Sequence, residues 1–453
     1  MQEQYDVLIV GSGIGGLGAG AFLSRWGYKT LVVEKRSIIG GRYSTEEYEG
    51  FKLPTGGLVL HRDFGIPEVF AELGLELDLV PLPENFYRLE GKDYRMPTKG
   101  AIPSLLDIAD KLEVDRAKLV GGLTKAVATQ KVMEAFKRGT REPAKETLTF
   151  RDWLLQYTDS DLAHSFFDTI INTLCAAHIY EIPASAVFSF MVRLQGFRNI
   201  SIPRHGLLVE MEKLVQVVKA NGDVWTNCPA KRIVVQGGRA RGIVVAKDGS
   251  EVEISGQVMI SDVGPKATVG LAGMENFDEE YLKLMRMTLR PHPVTMTFVA
   301  SDRPLWPEGG EPATLQVVGA RRITSVVPIS NVVPEAAPPG QHLLFAFGGP
   351  VSNEVHMNIE EEQRQITLDI KEQFPLFEKH GKILKIDSRD IDHEFPEMRT
   401  RVGYGMPPET PIKNLFNVGD AMLDVGLSGG VAAAESGMRV ARIVRKSFKP
   451  GKA

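Results

Sequence analysis

The segment "YDVLIVGSGIGGLGAGAFLSRWGYKTLVVEKR" (residues 5–36) contains the clearest secondary-structure pattern of this chain. Residues 7–10 form a continuous apolar run, which is typical of a strand buried on both faces of a parallel sheet. A glycine-rich turn and the stretch "LGAGAFLSRWG" follow, and they predict a helix that ends at Gly27. The stretch "TLVVEK" predicts a second strand. Strand, helix and strand in this order indicate an α/β fold.

The turn between the first strand and the helix has the spacing G-x-G-x-x-G at Gly11, Gly13 and Gly16. In this pattern the first glycine permits a tight turn, the second lets a pyrophosphate approach the backbone, and the third lets helix and strand pack closely. Ile14 and Gly15 lie in the first turn of the helix, whose free N–H groups and dipole attract phosphate. The turn therefore predicts a dinucleotide site.

Glu34 ends the second strand, 18 residues after Gly16. A carboxylate at this spacing accepts hydrogen bonds from the ribose hydroxyls of an adenine dinucleotide and repels a 2′-phosphate. A glycine-rich turn without a ligand would explain the glycines but not Glu34. We therefore expect Glu34, with the adjacent Lys35, to bind the adenosine part of a dinucleotide.

Two further glycine pairs follow this acid. The stretch "KRSIIGGRYST" (35–45) contains a pair that ends at Gly41, with Arg42 beside it, and "LPTGGLVLH" (53–61) contains Gly56, Gly57 and Leu58. Glycines allow close backbone approach, and arginine supplies a cation for phosphate. Ordinary turns would also account for these residues. Their order, however, resembles the FAD-binding head shared by flavin amine oxidases and phytoene-desaturase-like proteins.

The resemblance to this superfamily extends over almost the whole chain and implies a non-covalent FAD. It implies that the Gly-Gly-Arg turn lies by the pyrophosphate and that Gly56 and Gly57 pass close to the flavin ring. Residues 204–265 resemble the second FAD-binding segment, with a helix, a strand, a three-strand meander and, as a separate strand, "GQVMISDVGP". The resemblance implies that Arg232 and Ile233 contact the adenine end through the backbone and that Asp262 also binds the cofactor.

The stretch "NLFNVGDAMLDVGLSGGVAAAESGMRVARIV" (414–444) resembles the C-terminal FAD segment of the same families. Its strand ends at Gly419 and Asp420, whose carboxylate would bond the ribityl chain or a phosphate-bound water. Gly429, Gly430 and Val431 open a helix rich in small residues, against which a flat ring can lie. The N–H groups of this helix would then stabilise negative charge on the flavin. A small-residue helix packed on a sheet is the alternative interpretation.

These segments together predict an α/β protein: a Rossmann-type FAD-binding domain, glutathione-reductase-like, with an inserted α+β substrate domain. Residues 1–75, 204–270 and 391–453 are assigned to the discontinuous FAD-binding domain. Residues 76–203 and 271–390 are assigned to the substrate or cap domain. The first of these two insertions is expected to be helical and irregular, with a helix start at Thr149.

The family resemblance implies an FAD-dependent oxidoreductase. The sequence has no second G-x-G-x-x-G unit, so we expect an organic substrate to reduce the flavin and oxygen, a quinone or another carrier to reoxidise it. The stretch "SNVVPEAAPPGQHLL" (330–344) resembles phytoene-desaturase-like proteins, whereas "GDAMLDVGLSGG" (419–430) is closer to amine oxidases. We expect dehydrogenation, that is desaturation, of a mainly apolar substrate. The alternatives are amine oxidation, isomerisation without net redox change, and a non-catalytic protein with structural FAD.

His61, Tyr404 and Asp424 are the candidate catalytic residues. His61 follows the second glycine pair and is placed to act as a base or an orienting group, although a histidine at a strand end can also be structural. Tyr404 and Asp424 lie on the C-terminal segment that approaches the ring in the resembling families. The stretch "HEFPEMRTR" (393–401) lacks metal-ligand spacing, so no metal is expected.

Composition and charge exclude several other classes of protein. A chain of 453 residues is expected to fold as two or three lobes, and a formal net charge of −4 disfavours electrostatic binding of nucleic acid. The 2 cysteines provide no disulfide framework. The sequence shows no secretory signal pattern and no long apolar run. We therefore expect a cytoplasmic protein; peripheral membrane contact and the oligomeric state stay open.

Overall fold

The computed structural model describes residues 4–97, 107–136, 148–193, 199–306, 312–422 and 429–451. The strands in these ranges are β1 Gln4–Val10, β2 Thr30–Val33, β3 Thr45–Tyr48, β4 Phe51–Pro54, β5 Leu60–His61, β6 Leu79–Pro81, β7 Asn85–Leu89, β8 Lys92–Arg95, β9 Ile200–Pro203, β10 Gly222–Trp225, β11 Ala230–Gln236, β12 Arg239–Lys247, β13 Ser250–Ser261, β14 Val294–Ser301, β15 Thr314–Val317, β16 Ile323–Val327, β17 His342–Gly348, β18 Gly381–Arg389 and β19 Leu415–Asn417.

The helices in the same ranges are α1 Ile14–Arg25, α2 Ile66–Glu72, α3 Arg116–Phe136, α4 Phe150–Leu154, α5 Asp161–Cys175, α6 Ala184–Arg193, α7 Leu207–Lys219, α8 Pro265–Ala272, α9 Glu279–Thr288, α10 Ile329–Val332, α11 Ile359–Gln373, α12 Phe377–His380 and α13 Gly429–Ser447. Within the described ranges, no helix is both long and apolar enough to cross a bilayer.

The first sheet has seven strands in the order β10-β2-β1-β13-β12-β11, with β19 also paired to β13. Strands β10, β2, β1, β13 and β19 run parallel to one another, whereas β12 pairs antiparallel with both β13 and β11. Strand β1 is buried on both faces, because Val7 packs into the core on one side and Leu8 into the core on the other. The strand–helix–strand prediction for residues 5–36 is thus confirmed.

One continuous strand replaces two that the sequence predicts. The third strand of the meander and "GQVMISDVGP" together form β13, whose first half pairs with β12 and whose second half pairs with β1. The sequence suggested a break at Gly256, a residue type that often marks a turn. In the structure Gly256 lies inside the strand, where a Cβ atom would come within 2.7 Å of Leu8 Cγ.

The second sheet has the order β18-β14-β17-β16-β15-β7-β8. Strands β7 and β8 lie in the stretch expected to be helical and irregular. Four residues of adjacent strands lie directly opposite one another across this sheet: Met296 pairs with Phe347, Phe347 with Ser325, and Ser325 with Gln316. We call these four residues the cross-strand row.

Helices cover both sheets. Helices α1, α7 and α13 pack on one face of the first sheet, where a Cβ atom at Gly437 of α13 would come within 2.3 Å of the Gly15 carbonyl oxygen of α1. Helix α5 packs on β15 and β16 of the second sheet. Helix α4 begins at the predicted place, because Thr149 and Asp152 form a reciprocal capping box.

Candidate active site

A cavity of about 1010 Å³ opens at the carboxyl ends of the parallel strands and continues to one face of the second sheet. Glycine-rich turns and strand ends line its first part, which we call the glycine-lined half; these segments are residues 10–14, 33–35, 40–43, 56–58, 262–264, 419 and 429–431. Residues of β14, β15, β16 and β17 line its second part, which we call the sheet-lined half. The two halves belong to one cavity.

The Glu34 carboxylate stands at one end of the glycine-lined half and is held by backbone and hydroxyl donors. Its Oε2 accepts from the Ser12 amide at 3.0 Å and from Ser12 Oγ at 2.7 Å, and its Oε1 accepts from the Arg36 amide at 2.9 Å. These bonds fix the direction of both oxygens while leaving acceptor capacity on each. The sequence analysis did not identify Ser12 as a partner of Glu34, although Ser12 lies between two glycines of the motif.

Asp262, at the end of β13, lies beside the first glycine turn. Its Oδ2 accepts from the Gly16 amide at 3.0 Å, and a Cβ atom at Gly13 would come within 2.5 Å of the same oxygen. Burial raises the pKa of Asp262 to about 7, even though the Gly16 hydrogen bond acts in the opposite direction. A carboxyl group that is partly neutral near pH 7 can lie beside a phosphate with little repulsion.

Asp420 lies beneath the cavity between two arginines. Its carboxylate accepts from Arg42 Nη1 at 2.8 Å and Nη2 at 2.6 Å, and from the Arg399 amide at 2.9 Å and Nη1 at 3.1 Å. Burial would raise the pKa of Asp420, but the two guanidinium groups outweigh burial and hold the pKa below its usual range. Both arginines line the cavity and Asp420 does not. Both guanidinium groups therefore stand at the cavity wall, where each can bind an anion.

The start of α13 forms another part of the cavity wall. Gly429, Gly430 and Val431 line the cavity, and a Cβ atom at Gly430 would come within 2.2 Å of the Tyr43 ring. Only glycine allows the Tyr43 ring and the first turn of the helix to lie this close. The N-terminal end of α13 therefore faces the cavity with its positive dipole end.

Most of the predicted cofactor residues line the cavity, whereas Gly15, Gly16, Arg232, Ile233 and Asp420 do not. The cavity is lined by Gly11, Gly13, Ile14, Glu34, Lys35, Gly41, Arg42, Gly56, Gly57, Leu58, Asp262, Gly419, Gly429, Gly430 and Val431. Gly15 and Gly16 are buried within α1, behind this surface.

Arg232 and Ile233 do not line the cavity. The structure places Pro229 and Ala230 on its wall instead. The register of β11 shifts between Ala230 and Arg232, after which Arg232 is exposed and Ile233 packs into the core of the first sheet.

The three candidate catalytic residues have different positions. His61 lines the cavity and stacks on Phe64, with ring centroids 4.8 Å apart. Burial lowers the pKa of His61, so its imidazole is neutral near pH 7. Tyr404 does not line the cavity; its ring lies 5.9 Å from the Arg401 guanidinium carbon. Asp424 lies outside the described residues.

A segment that the sequence analysis considered only as a possible metal site also lines the cavity. Residues 391–399, which we call the strap, all line the cavity. The strap is tied to the first sheet by an ion pair between Lys35 and Glu394, and to the start of α8 by Lys266 Nζ and Asp392 Oδ1 at 3.4 Å. These pairs are exposed, so each contributes little to stability. The strap also brings Arg399 to the cavity.

The sheet-lined half is mainly apolar. The second sheet contributes Val294, Met296, Val327, Phe345 and Phe347 to the wall. Its polar contributions are Thr314, Gln316 and Ser325, and none of the residues that it contributes is charged. This half therefore presents an uncharged, mainly apolar wall to the cavity.

The family model described as flavin containing amine oxidoreductase matches residues 14–445 of the chain. An uncharacterized protein of Methanocaldococcus jannaschii is 25% identical over 389 residues, which cover 84% of this chain and 85% of the relative. A limonene dehydrogenase chain of Castellaniella defragrans is 25% identical over 346 residues, 64% of this chain and 57% of the relative. Prolycopene isomerase of Daucus carota is 25% identical over 325 residues, 62% of this chain and 51% of the relative.

Solved structures with the same fold cover nearly the full chain. An oxidoreductase from Methanosarcina mazei superimposes with a TM-score of 0.79 at 25% identity, covering 97% of this chain and 100% of that one. Putrescine oxidase superimposes with a TM-score of 0.74 at 17% identity, covering 98% of this chain and 99% of that one. The mixed α/β architecture is therefore shared with these two solved structures.

Proposed function

The chain belongs to the flavin-containing amine oxidoreductases and is an FAD-dependent oxidoreductase, and on that premise we propose that it dehydrogenates a mainly apolar organic substrate. One observation carries the proposal: a single cavity joins the fixed carboxylate of Glu34 to the uncharged face of the second sheet. Cofactor and substrate would therefore meet without an intervening wall. FAD supplies the chemistry, since its flavin accepts a hydride or two electrons from an organic molecule.

The glycine-lined half fits FAD by its donor set. Glu34 would accept hydrogen bonds from the adenosine ribose, because both of its oxygens are already directed by Ser12 and Arg36. The N-terminus of α1, with Arg42 and Arg399, would hold the pyrophosphate. Asp420 would act through these two arginines by fixing their direction.

The flavin end is assigned to the turn at Gly56 and Gly57 and to the start of α13. Both surfaces expose backbone to the cavity, which suits a flat ring. The helix N-terminus would favour negative charge there.

We propose the following division of the chain, on the basis of the two sheets. Residues 1–75, 204–270 and 391–453 would form a Rossmann-type, glutathione-reductase-like FAD-binding domain, and 76–203 and 271–390 an inserted substrate domain. Its support is that every strand of the first sheet lies in the former ranges and every strand of the second sheet in the latter.

His61 is the proposed base or orienting group for the substrate. Dehydrogenation removes two hydrogens, one as hydride and one as a proton, and a neutral imidazole at the cavity wall can take the proton. The two electrons leave with the hydride and pass to an electron acceptor outside the chain, such as oxygen or a quinone. Tyr404 lies away from the cavity and receives no role in this proposal.

The test is anaerobic incubation of the purified FAD-loaded protein with a panel of apolar alkenes, alcohols and ketones and, separately, of primary amines. Loss of the oxidised flavin absorbance with the apolar compounds is the expected result, with recovery when acceptor is added. Loss with amines alone would replace the proposal by amine oxidation. Product without any acceptor would replace it by isomerisation. An unchanged flavin spectrum with every compound and with chemical reductants would leave only a structural role for FAD.

A further inference from the structure

The cross-strand row changes from apolar to polar within the sheet-lined half. Met296 and Phe347 form one end of the row, and Ser325 and Gln316 form the other. All four residues line the cavity. Since neighbours across a sheet stand side by side on the same face, a substrate lying along the row meets hydrocarbon at one end and hydrogen-bonding groups at the other.

Gln316 lies at the polar end of the cross-strand row, and its side chain makes only some of the hydrogen bonds that an amide can make. The residue is 2% exposed, and its Oε1 accepts from Thr173 Oγ1 of α5 at 3.0 Å. Among the described residues, no acceptor lies within hydrogen-bonding distance of its NH₂ group. Because Gln316 lines the cavity, its NH₂ group is available there to donate to a ligand oxygen.

Thr314 and Ser325 differ in what they can offer to a ligand. The Thr314 hydroxyl donates to Asn85 Oδ1 at 2.6 Å and is thereby committed to the protein. Ser325 is 3% exposed, and its hydroxyl has no hydrogen-bond partner in the described part of the chain. Ser325 and Gln316 are directly opposite each other on β16 and β15, so their free donors flank one position.

We propose that the Gln316 amide and the Ser325 hydroxyl bind an uncharged oxygen, a carbonyl or hydroxyl, at one end of the substrate. This inference rests on the proposed function and narrows it, because the substrate becomes an apolar skeleton that carries one neutral oxygen function. A carboxylate fits less well, since the second sheet presents no cation to the cavity. A site built to hydrogen-bond such a group rejects an analogue that lacks it.

The experiment compares two ligands of equal length, 2-octanone and 1-octene, by calorimetric titration of the FAD-loaded protein. We expect the ketone to bind about tenfold more tightly than the alkene, the difference typical of one satisfied buried hydrogen bond. In Gln316→Met, which keeps the length of the side chain, the two affinities should become equal through a loss of ketone binding alone. The flavin-to-protein ratio and visible spectrum should stay as in the parent protein.

Two further variants keep the test decisive. Gln316→Leu also lacks the amide donor and adds no ionisable group, so the ketone preference should be lost here too. Thr297→Val is the matched control, because Thr297 is buried on β14 but does not line the cavity; the preference should persist. Equal binding of both ligands by the parent protein, or binding of neither, overturns the inference. The proposed dehydrogenation is judged separately, by flavin bleaching with the wider panel, so the two failures are distinguishable.

Discussion

The two halves of the cavity are built in different ways. In the glycine-lined half, charged side chains hold one another: Glu34 is fixed by three donors and Asp420 by two arginines. In the sheet-lined half, the wall is a set of apolar side chains arranged by strand register, with few polar bonds among them. The first half is rigid and charged, as a dinucleotide requires. The shape of the sheet-lined half is set mainly by the volumes of its side chains. A single substitution there can therefore change which ligand binds while the glycine-lined half stays intact.

The largest effect that would test this contrast is expected from Asp420→Asn. The change removes the only carboxylate bonded to both Arg42 and Arg399 in the described chain, and leaves two poorly compensated guanidinium groups. Breaking a buried ion pair typically costs about 3–5 kcal/mol, so the free energy of unfolding should fall by that order, as measured by urea denaturation. The exposed Asp159 gives the control, since Asp159→Asn should change stability by less than about 0.5 kcal/mol. A similar stability in the two variants would show that Asp420 does not organise this half.

The ion pairs of Asp420 with the two arginines also predict how the stability difference between the parent protein and Asp420→Asn depends on pH. The folded-state pKa of Asp420 is depressed, so its contribution to stability is present above the pKa of the unfolded chain and is lost as pH falls through the folded-state pKa. The gap in unfolding free energy between the parent protein and Asp420→Asn should therefore shrink in acid. The measurement is a series of urea titrations between neutral and acidic pH.

A smaller effect, confined to cofactor affinity, is expected from Glu34→Ala. The substitution removes the acceptor proposed for the ribose and leaves the Ser12 amide without its carboxylate partner. A hydrogen bond to a charged group contributes about 1.5–3 kcal/mol, so FAD should bind at least tenfold more weakly, as measured by fluorescence titration of the flavin-free protein. Val327→Ala, in the sheet-lined half, should leave FAD affinity unchanged. Purification of Glu34→Ala with a full complement of flavin would contradict the assignment.

The smallest expected effect concerns Asp262. Its pKa of about 7 means that the carboxyl group gains negative charge as pH rises from about 6 to 8, beside the turn proposed for the pyrophosphate. FAD affinity should therefore fall a few-fold over this range. In Asp262→Asn, which cannot ionise, this dependence should flatten. An equal pH dependence in both proteins would place its origin elsewhere.

The contrast between the halves also explains what the sequence could predict. The sequence predicted Gly11, Gly13 and Glu34, because residues at a fixed spacing along a turn and two adjacent strands take fixed positions in the fold. Arg399 was missed because its role depends on Asp420 and Arg42, and the latter is 378 residues from Asp420. The bond between Thr173 and Gln316 spans 143 residues and follows from packing of α5 on the second sheet. Strand β7 was missed for the same reason, since it pairs with the distant β15, and β8 in turn pairs with β7.

The close packing of α1 and α13 has a consequence for synthesis on the ribosome. Gly437 lies against the Gly15 carbonyl, yet α13 is translated more than four hundred residues after α1. A nascent chain that has reached only the second sheet exposes the apolar flank of α1 that α13 later covers. Until α13 is synthesised, other contacts or a chaperone must therefore cover this flank of α1. FAD binding is expected to be among the last steps of folding.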